Sequence, residues 1–305
     1  MSQVVSWIER EGDWKPAEGT VHAKLKPGLY GLKEESRGLF GTSAALYELK
    51  PTTDRLLQLE GSLTEYIANS VRKFWESRKV YEEMGLIHKR GLLMEGAPGS
   101  GKTATCLSVG QEIAKYGGAA FFFSPSNDLG WLPKVLEAAR ESQADLPLLA
   151  IIEDMDRYTD PKKQRYSGDA EKNIHILLSL LDGEKQIGNV VYLATTNFVK
   201  RLDFRLTNRP SRFDEVIATR PPSGRVREAY FRRILPAGAA EDGHLIGGST
   251  VDKLVAASKG MYFAHMKELA IAHWVYKHPL DAVAERIREL ADNKSTGFSP
   301  DTEQD

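Results

Sequence analysis

The stretch GAPGSGKT, residues 96–103, contains three glycines and ends with Lys102 and Thr103. It lies between a short apolar run, LLME, and a helix-forming stretch, ATCLSVGQEIAK. The spacing fits the pattern GxxxxGK[ST] in the strand-to-helix context where that pattern binds phosphate. Glycines let backbone N–H groups converge on phosphate oxygens, and the following helix N-terminus favours negative charge. The stretch therefore predicts a nucleoside triphosphate site rather than a plain glycine turn.

The residue types of this loop suggest roles within such a site. Lys102 is placed to reach the β- and γ-phosphates, and the Thr103 hydroxyl is placed to ligate Mg²⁺. The predicted binding residues are Gly96, Ala97, Pro98, Gly99, Ser100, Gly101, Lys102, Thr103 and Ala104.

Working outward from the loop, we find five short apolar runs within residues 90–218: GLLME, AAFFFS, LPLLAIIED, NVVYLATTN and DEVIA. Continuous rather than alternating apolar character is typical of strands buried on both faces of a parallel sheet. The pattern predicts an α/β fold over residues 61–220, in which helices flank a mostly parallel five-stranded sheet. A capping box, SLTE, starts a helix at Ser62 that leads toward the glycine loop.

Three further segments flank this domain. Residues 1–60 carry Gly and Pro between short apolar runs, which predicts a small β-rich appendage. After Pro221 and Pro222, apolar residues recur at helical spacing, which predicts a separate all-α lid over residues 221–293. The polar end, residues 294–305, is predicted to be a disordered tail.

Composition narrows the functional classes. The 305 residues include 41 Lys and Arg against 42 Asp and Glu, so no overall field gathers nucleic acid or anionic lipid. Cys106 is the single cysteine, which excludes an intramolecular disulfide and a thiolate metal cluster and fits a reducing compartment. The chain begins without signal-peptide character, and no apolar run approaches the ~18 residues of a membrane helix. We therefore expect a cytoplasmic protein with no membrane partner.

Acidic and amide side chains end two of the predicted strands. Glu153, Asp154 and Asp156 follow LLAII, at the sheet edge where the phosphate loop is expected. One of these carboxylates is expected to organise Mg²⁺ and another to polarise the attacking water. Asn197 ends NVVYLATTN, where its amide is able to orient a water; an ordinary strand-end turn is the equal alternative.

Arg209 and Arg212 lie three residues apart in LTNRPSRFDEVI, before the last predicted strand. A planar, permanently charged guanidinium suits the negative charge that develops during phosphoryl transfer. A solvated salt bridge is the alternative for either arginine. Both are therefore candidate catalytic residues alongside Glu153, Asp154 and Asn197.

The order GAPGSGKT, IIEDMD, ATTN, NRPSRFD and then a helical lid resembles the AAA+ ATPases. In that family the four motifs are Walker A, Walker B, sensor 1 and the paired arginine fingers. The stretch FWESRKVYEEMGLIHKRGLLMEGAPGSGKT is similar to the corresponding segment in the branch that contains the mitochondrial Rieske-protein translocase. That branch also carries Glu-Asp where most AAA+ proteins carry Asp-Glu. The resemblance covers residues 66–292.

The resemblance implies Mg²⁺-dependent ATP hydrolysis by a closed ring, most often a hexamer. It implies the Mg²⁺-organising position for Glu153 and the water-activating position for Asp154, and their exchanged order leaves open which is catalytic. Arg209 and Arg212 would reach the neighbouring subunit's site. Residues 81–89 would lie near the adenine.

Some family features are missing or left open. The translocase's membrane segment is absent, and no arginine stands at the sensor 2 position of the predicted lid, where Lys267 is a weak substitute. Trp131 in SPSNDLGWLPK is the one candidate for a substrate-gripping pore loop there, and core packing is the alternative. The basic and aromatic segment 157–172 is either a second pore loop or a solvated loop.

Three functional hypotheses follow. The preferred one is a ring-forming ATPase that remodels or translocates an unidentified protein client. A nucleic-acid loader or motor is the second, and it depends on the patch of Lys162, Lys163, Arg165 and Tyr166. A nucleotide-gated scaffold with slow turnover is the third, which the Glu-Asp exchange and the missing sensor 2 arginine permit. The sequence shows no NKxD-type motif to support a GTPase.

Overall fold

The computed structural model describes residues 7–10, 13–16, 24–36, 42–50, 59–159, 169–182, 186–207, 209, 211–236 and 249–295. The predicted basic patch of Lys162, Lys163, Arg165 and Tyr166 lies outside the described residues, as does the tail beyond residue 295.

Strands of the described residues form two sheets. They are β1 (Trp7–Arg10), β2 (Asp13–Pro16), β3 (Gly28–Ser36), β4 (Thr42–Glu48), β5 (Lys89–Glu95), β6 (Ala119–Phe123), β7 (Leu148–Ile152), β8 (Val190–Thr196) and β9 (Glu215–Ala218). β1 and β2 pair antiparallel, and the other strands form one sheet in the order β4-β3-β6-β7-β8-β5-β9. Every neighbouring pair of this large sheet is parallel except β3 and β4. The predicted mostly parallel sheet is confirmed, and its predicted strands are β5 to β9.

The prediction of five strands is corrected, because the large sheet has seven in the described residues. β3 pairs with β6, from Gly28 opposite Ala119 to Gly31 opposite Phe122, and β4 adds an antiparallel edge. Without β3, the apolar strand β6 would be an unprotected sheet edge. The segment predicted as a separate appendage therefore supplies two strands of the main sheet. Gly and Pro in LKPGLYGL obscured β3, since these residues normally mark turns.

Helices cover both faces of the large sheet. They are α1 (Leu63–Glu76), α2 (Arg78–Glu83), α3 (Lys102–Lys115), α4 (Trp131–Ser142), α5 (Met155–Thr159), α6 (Asp169–Leu181) and α7 (Phe204–Thr207). One core cluster packs α1 and α3 against one face, and a second packs α4 and α6 against the other. On β5, Leu92 and Met94 belong to the first cluster and Leu93 to the second, as alternation along a strand requires.

The predicted N-cap Ser62 precedes α1, but the reciprocal bond of the predicted capping box goes to Gly61 instead of Ser62. Ser62 Oγ accepts from the Glu65 N–H at 3.3 Å, and the Glu65 carboxylate accepts from the Gly61 N–H at 2.6 Å. These bonds satisfy backbone donors that the first turn leaves free. The Thr64 hydroxyl then lies 2.9 Å from that of Thr105 on α3. The start of α1 is therefore held beside the helix that follows the glycine loop.

The described part of the lid is helical, as predicted. It contains α8 (Gly224–Ile234), α9 (Thr250–Ala257), α10 (Phe263–Ala270), a π-helical turn (Ile271–Val275) and α11 (Leu280–Ser295). Phe231, Leu254 and Met266 lie in a core cluster of their own, which also contains Leu59 from the segment before α1. The domain boundaries remain predictions. Over the described ranges, none of the helices combines the length and apolar character needed to cross a membrane.

Candidate active site

The glycine loop lies at the carboxyl edge of the large sheet, between the end of β5 and the start of α3. Gly99 and Gly101 have φ angles of 76° and 95°, in the left-handed region that favours glycine. The Ser100 N–H bonds the Ala97 carbonyl at 3.2 Å, which tightens the turn. The chain therefore forms a compact loop directly before a helix N-terminus, the arrangement that binds phosphate.

Lys102 is buried inside the curve of this loop. Its Nζ donates to the carbonyl oxygens of Gly96 at 2.6 Å and Ala97 at 3.1 Å, and to Asn197 Oδ1 at 2.8 Å. Burial lowers the pKa of the Lys102 ammonium, and nearby carboxylates, Asp154 foremost, oppose part of that shift. The loop therefore holds a cation at the point where anionic phosphates are expected.

Thr103 contacts the residue that follows β7. Its hydroxyl donates to Glu153 Oε1. Burial raises the pKa of the Glu153 carboxyl, and the hydrogen bond from Thr103 opposes that shift. Carboxylate oxygens suit Mg²⁺, which completes its shell with phosphates and waters. A P-loop hydroxyl with a strand-end carboxylate therefore fits the predicted metal.

Asn197 connects Lys102 to Asp154 across the site. Its Nδ2 donates to Asp154 Oδ1 at 3.0 Å, while its Oδ1 accepts from Lys102. Asp154 has a φ of 46°, which is uncommon for a residue with a side chain, and its N–H donates to the Thr195 hydroxyl at 2.9 Å. Arg157 Nε lies 3.5 Å from the second carboxylate oxygen of Asp154. Asp154 and Asn197 are therefore held together at the ends of neighbouring strands.

The Asp156 carboxylate stabilises this arrangement by hydrogen bonds. It is buried, and its Oδ1 accepts from the Thr196 hydroxyl at 2.9 Å and from the Asn197 N–H at 3.2 Å. These bonds tie the start of α5 to the end of β8. Of the three predicted carboxylates, Glu153 and Asp154 meet the polar side chains of the site, and Asp156 positions Asn197.

Arg209 and Arg212 lie at the opposite edge of the sheet from the glycine loop. The backbone of Arg212 packs beside Gly91 on β5, so closely that a Cβ on Gly91 would come 2.2 Å from the Arg212 carbonyl oxygen. Gly96 follows Gly91 along the same strand at a distance of roughly 17 Å, from the usual rise per residue. The structure therefore brings neither arginine to the glycine loop of its own chain.

Both arginines contact Asp182, the residue after α6. Asp182 Oδ2 lies 3.1 Å from Arg212 Nε and 3.4 Å from Arg209 Nη1, and Oδ1 accepts from the Ser211 hydroxyl at 3.1 Å. Burial would raise the pKa of Asp182, but these three bonds together hold it below its usual value. The Arg209 side chain is 68% exposed and that of Arg212 12%. Sequence reasoning missed Asp182, because its local pattern is that of any polar residue at a helix end.

A contact between residues 81–89 and an adenine remains a prediction. The segment leads into the start of β5, and Lys89 Nζ donates to the Ser211 carbonyl at 2.8 Å, beside the arginines rather than the loop. The physical reason is the direction of α1. Its start, not its end, borders the glycine loop, through the contact between Thr64 and Thr105.

The lid closes one side of the glycine loop. The Ala264 N–H, on α10, donates to the Gly99 carbonyl at 3.3 Å. The Phe263 ring lies 3.2 Å from the position that a Cβ on Gly101 would take. Because α10 has the sequence FAHMKELA, it supplies no arginine to the loop.

Trp131, the candidate pore-loop residue, begins α4 and is partly buried. It packs against the core cluster that contains Leu132 and Leu136, and Lys134 Nζ lies 4.2 Å from its ring centroid. A pore-loop role for Trp131 remains a prediction. The centre of the candidate second pore loop, residues 160–168, lies outside the described residues.

Comparison with known proteins agrees with this geometry. Residues 92–221 match the model of the ATPase family associated with various cellular activities (AAA). The chain is 30% identical over 164 residues to "Protein SAV" of Sulfolobus acidocaldarius, across 50% of this chain and 20% of that protein. It is 30% identical over 156 residues to the mitochondrial inner membrane i-AAA protease supercomplex subunit YME1 of Saccharomyces cerevisiae, across 48% and 20%. A Bifidobacterium dentium protein named "AAA ATPase forming ring-shaped complexes" is 28% identical over 187 residues, across 56% and 35%.

The match covers the part of the chain that builds the site. Its alignments span between 20% and 35% of the length of these relatives. The glycine loop, Glu153, Asp154, Asn197 and both arginines all fall within residues 92–221. With the mostly parallel sheet and the helices that follow it, residues 92–221 are similar in sequence and architecture to the ATPase domain of the AAA family.

Proposed function

We propose that this protein binds and hydrolyses ATP, with Mg²⁺, between the glycine loop and the ends of β7 and β8. The observation that carries the proposal is two sets of side-chain contacts made by adjacent residues of the loop and of the end of β7. Thr103 bonds Glu153, and Lys102 is linked through Asn197 to Asp154. A cation, a hydroxyl, an amide and two carboxylates converge beside a helix N-terminus. These are the groups that phosphoryl transfer requires.

Each of these side chains has a distinct role in the proposed reaction. Lys102 exchanges its carbonyl partners for the β- and γ-phosphate oxygens. Thr103 and Glu153 hold Mg²⁺, which when bound neutralises phosphate charge. Asp154 accepts a proton or hydrogen bond from the attacking water, and Asn197 orients that water. The pairing of Glu153 with Thr103 supports its metal role, and the pairing of Asp154 with Asn197 supports its catalytic role.

We infer that the active form is a closed ring, with six subunits as the expected number. Arg209 and Arg212 are roughly 17 Å along the sheet from the loop of their own chain. Arg209, whose side chain is 68% exposed, is accessible to a neighbouring subunit, and Arg212, at 12%, would have to leave Asp182 to reach one. A guanidinium supplied in trans is worth ~10³ to 10⁵ in rate. Similarity to a protein named for its ring-shaped complexes supports this assembly.

The proposed work of the ring is to remodel or translocate a protein client in the cytoplasm. Near-zero net charge supports this over a nucleic-acid motor, since it offers no general attraction for a polyanion. Similarity to a subunit of a protease supercomplex also supports it. The likeness of the stretch before the glycine loop to the Rieske-translocase branch stays part of this proposal.

The first experiment measures the ATPase rate per subunit against protein concentration, with molecular mass followed in parallel and with single-stranded DNA added to half the samples. We expect the rate per subunit to rise as rings form and to ignore DNA. Stimulation by DNA would indicate that the client is a nucleic acid and not a protein. Rings that form on ATP but hardly turn it over would replace the motor with a scaffold.

Lys102→Ala tests the site itself. Because it removes the cation at the phosphate position, we expect loss of ATP and ADP binding by calorimetry and loss of turnover. Lys115→Ala is the matched control, since Lys115 ends the same helix and its side chain is 69% exposed. Unchanged nucleotide binding by a folded Lys102→Ala variant would contradict the site assignment.

A further inference from the structure

Thr219 lies against the back of the glycine loop, at the end of β9. It is buried, and its N–H donates to the Glu95 carbonyl at 2.7 Å. Its hydroxyl lies 2.9 Å from the same carbonyl oxygen and 2.9 Å from the Ser100 hydroxyl. Since a carbonyl only accepts and a hydroxyl has one hydrogen, Thr219 donates to Glu95 and receives the second bond from Ser100.

These bonds form a chain from the strand into the phosphate-binding loop. Ser100 is also buried, and its Oγ lies 3.5 Å from Lys102 Nζ. Thr219 also packs closely against the first loop glycine. A Cβ on Gly96 would come 1.8 Å from the Thr219 hydroxyl oxygen. The loop is therefore fixed from a strand that is distant in sequence as well as by its own turn.

We propose that Thr219 is a positioning residue for nucleotide binding, and that it acts through Ser100. The hydroxyl pair holds the loop in the shape that presents its N–H groups to phosphate. Without the Thr219 hydroxyl, Ser100 loses its buried acceptor, and the loop loses its tie to β9. The inference rests on the nucleotide site proposed above, because Thr219 touches the loop rather than the ligand.

Thr219 also lies close in sequence to the start of the lid. β9 ends one residue before Thr219, and α8 of the lid begins at Gly224. On the other side of the loop, Ala264 of α10 bonds the Gly99 carbonyl. The glycine loop is therefore contacted on one side by Thr219, which precedes the lid, and on the other side by α10 of the lid.

The experiment compares Thr219→Val, which keeps the side-chain shape, with Thr219→Ser, which keeps the hydroxyl. ADP binding to the full chain is measured by calorimetry. We expect Thr219→Val to weaken binding about tenfold, the size of one lost buried hydrogen bond, and Thr219→Ser to stay within about twofold of wild type. Thr159→Val is the control, because Thr159 is also buried and its hydroxyl bonds the Met155 carbonyl of its own helix at 3.1 Å.

A double-mutant cycle with Ser100→Ala separates positioning from general stability. If the two hydroxyls act as one unit, Ser100→Ala combined with Thr219→Val should bind ADP no more weakly than either single variant. Independent, multiplying losses would overturn the proposal, as would wild-type affinity in Thr219→Val. Should Thr219→Val fail to fold, Ser100→Ala alone must still show the tenfold loss.

Lys102→Ala in the same assay keeps this inference distinct from the proposed function. If Lys102→Ala binds ADP as wild type does, the nucleotide site itself is wrong. If Lys102→Ala loses binding while Thr219→Val retains it, the site stands and only the role of Thr219 is overturned.

Discussion

At the scale of single residues, the Asn197 side chain joins two charged groups of the site, the Lys102 ammonium and the Asp154 carboxylate. Its side-chain amide bonds both the Lys102 ammonium and the Asp154 carboxylate, and the backbone N–H of Asn197 donates to the buried Asp156. An alanine at this position would leave Lys102 and Asp154 each without one partner. The site would keep its charges but lose the group that sets their spacing.

Asn197→Ala is therefore expected to lower kcat about 100-fold, the usual cost of removing one preorganised polar group. KM should change little, because the glycine loop and Lys102 remain to bind phosphate. The measurement is steady-state ATPase activity over a range of ATP concentrations. Asn69→Ala, on the exposed face of α1, is the matched control. A large rise in KM with kcat unchanged would make Asn197 a binding residue instead.

At the scale of elements, β3 turns the amino-terminal segment into part of the sheet. Leu29 is buried in the same cluster as α1 and α3, and a Cβ on Gly110 of α3 would come 2.8 Å from its Cδ1. α3 therefore approaches β3 closely where the helix carries a glycine. The ATPase sheet and the segment before it share one core.

Leu29→Ala is expected to lower the free energy of unfolding of the full chain by about 2 to 5 kcal/mol, the range for a buried leucine. Urea-induced unfolding, followed by circular dichroism, measures the change. Leu290→Ala is the control, because Leu290 is 55% exposed and should change stability by less than about 0.5 kcal/mol. An unchanged main transition in Leu29→Ala would show that β3 folds apart from the sheet.

The contrast between β3 and β5 shows what the sequence can predict. β5, the glycine loop and α3 are contiguous, so their pattern is complete within one short stretch and was predicted in full. β3 is recognised as a strand only through its pairing with β6, and Asp182 is recognised only through its ion pairs with Arg209 and Arg212. Such long-range contacts leave no local pattern. The placement of residues 81–89 beside the arginines has the same cause, since the direction of α1 decides which of its ends lies near the loop.

At the scale of the whole molecule, the two groups of proposed catalytic residues lie at opposite edges of one sheet. A single chain therefore presents the proposed nucleotide site at one edge and the two arginines at the other. Arg209, with 68% of its side chain exposed, is the more accessible of the two arginines. Complementation between variants is the direct test of this division.

Mixtures of Arg209→Ala and Asp154→Asn subunits are expected to regain ATPase activity that neither variant has alone. In random mixed rings one interface in four pairs an intact Asp154 with an intact Arg209, so recovery should reach about a quarter of wild type for independent interfaces. Mixtures of Asp154→Asn with Lys102→Ala are the control, since every site in them stays defective. Equal recovery in both mixtures, or none in either once mixed rings are shown by mass, would contradict a trans arginine.

Besides its contact with the glycine loop, the lid meets the segment before α1 as well as the chain after β9. Leu59, just before α1, packs in the lid core, and α8, the first helix of the lid, follows β9. The two places touch, because Arg225 Nη2 lies 2.9 Å from Glu60 Oε1. Because Leu59 is buried in the lid core, any movement of the lid that keeps this packing must also move the segment that leads into α1.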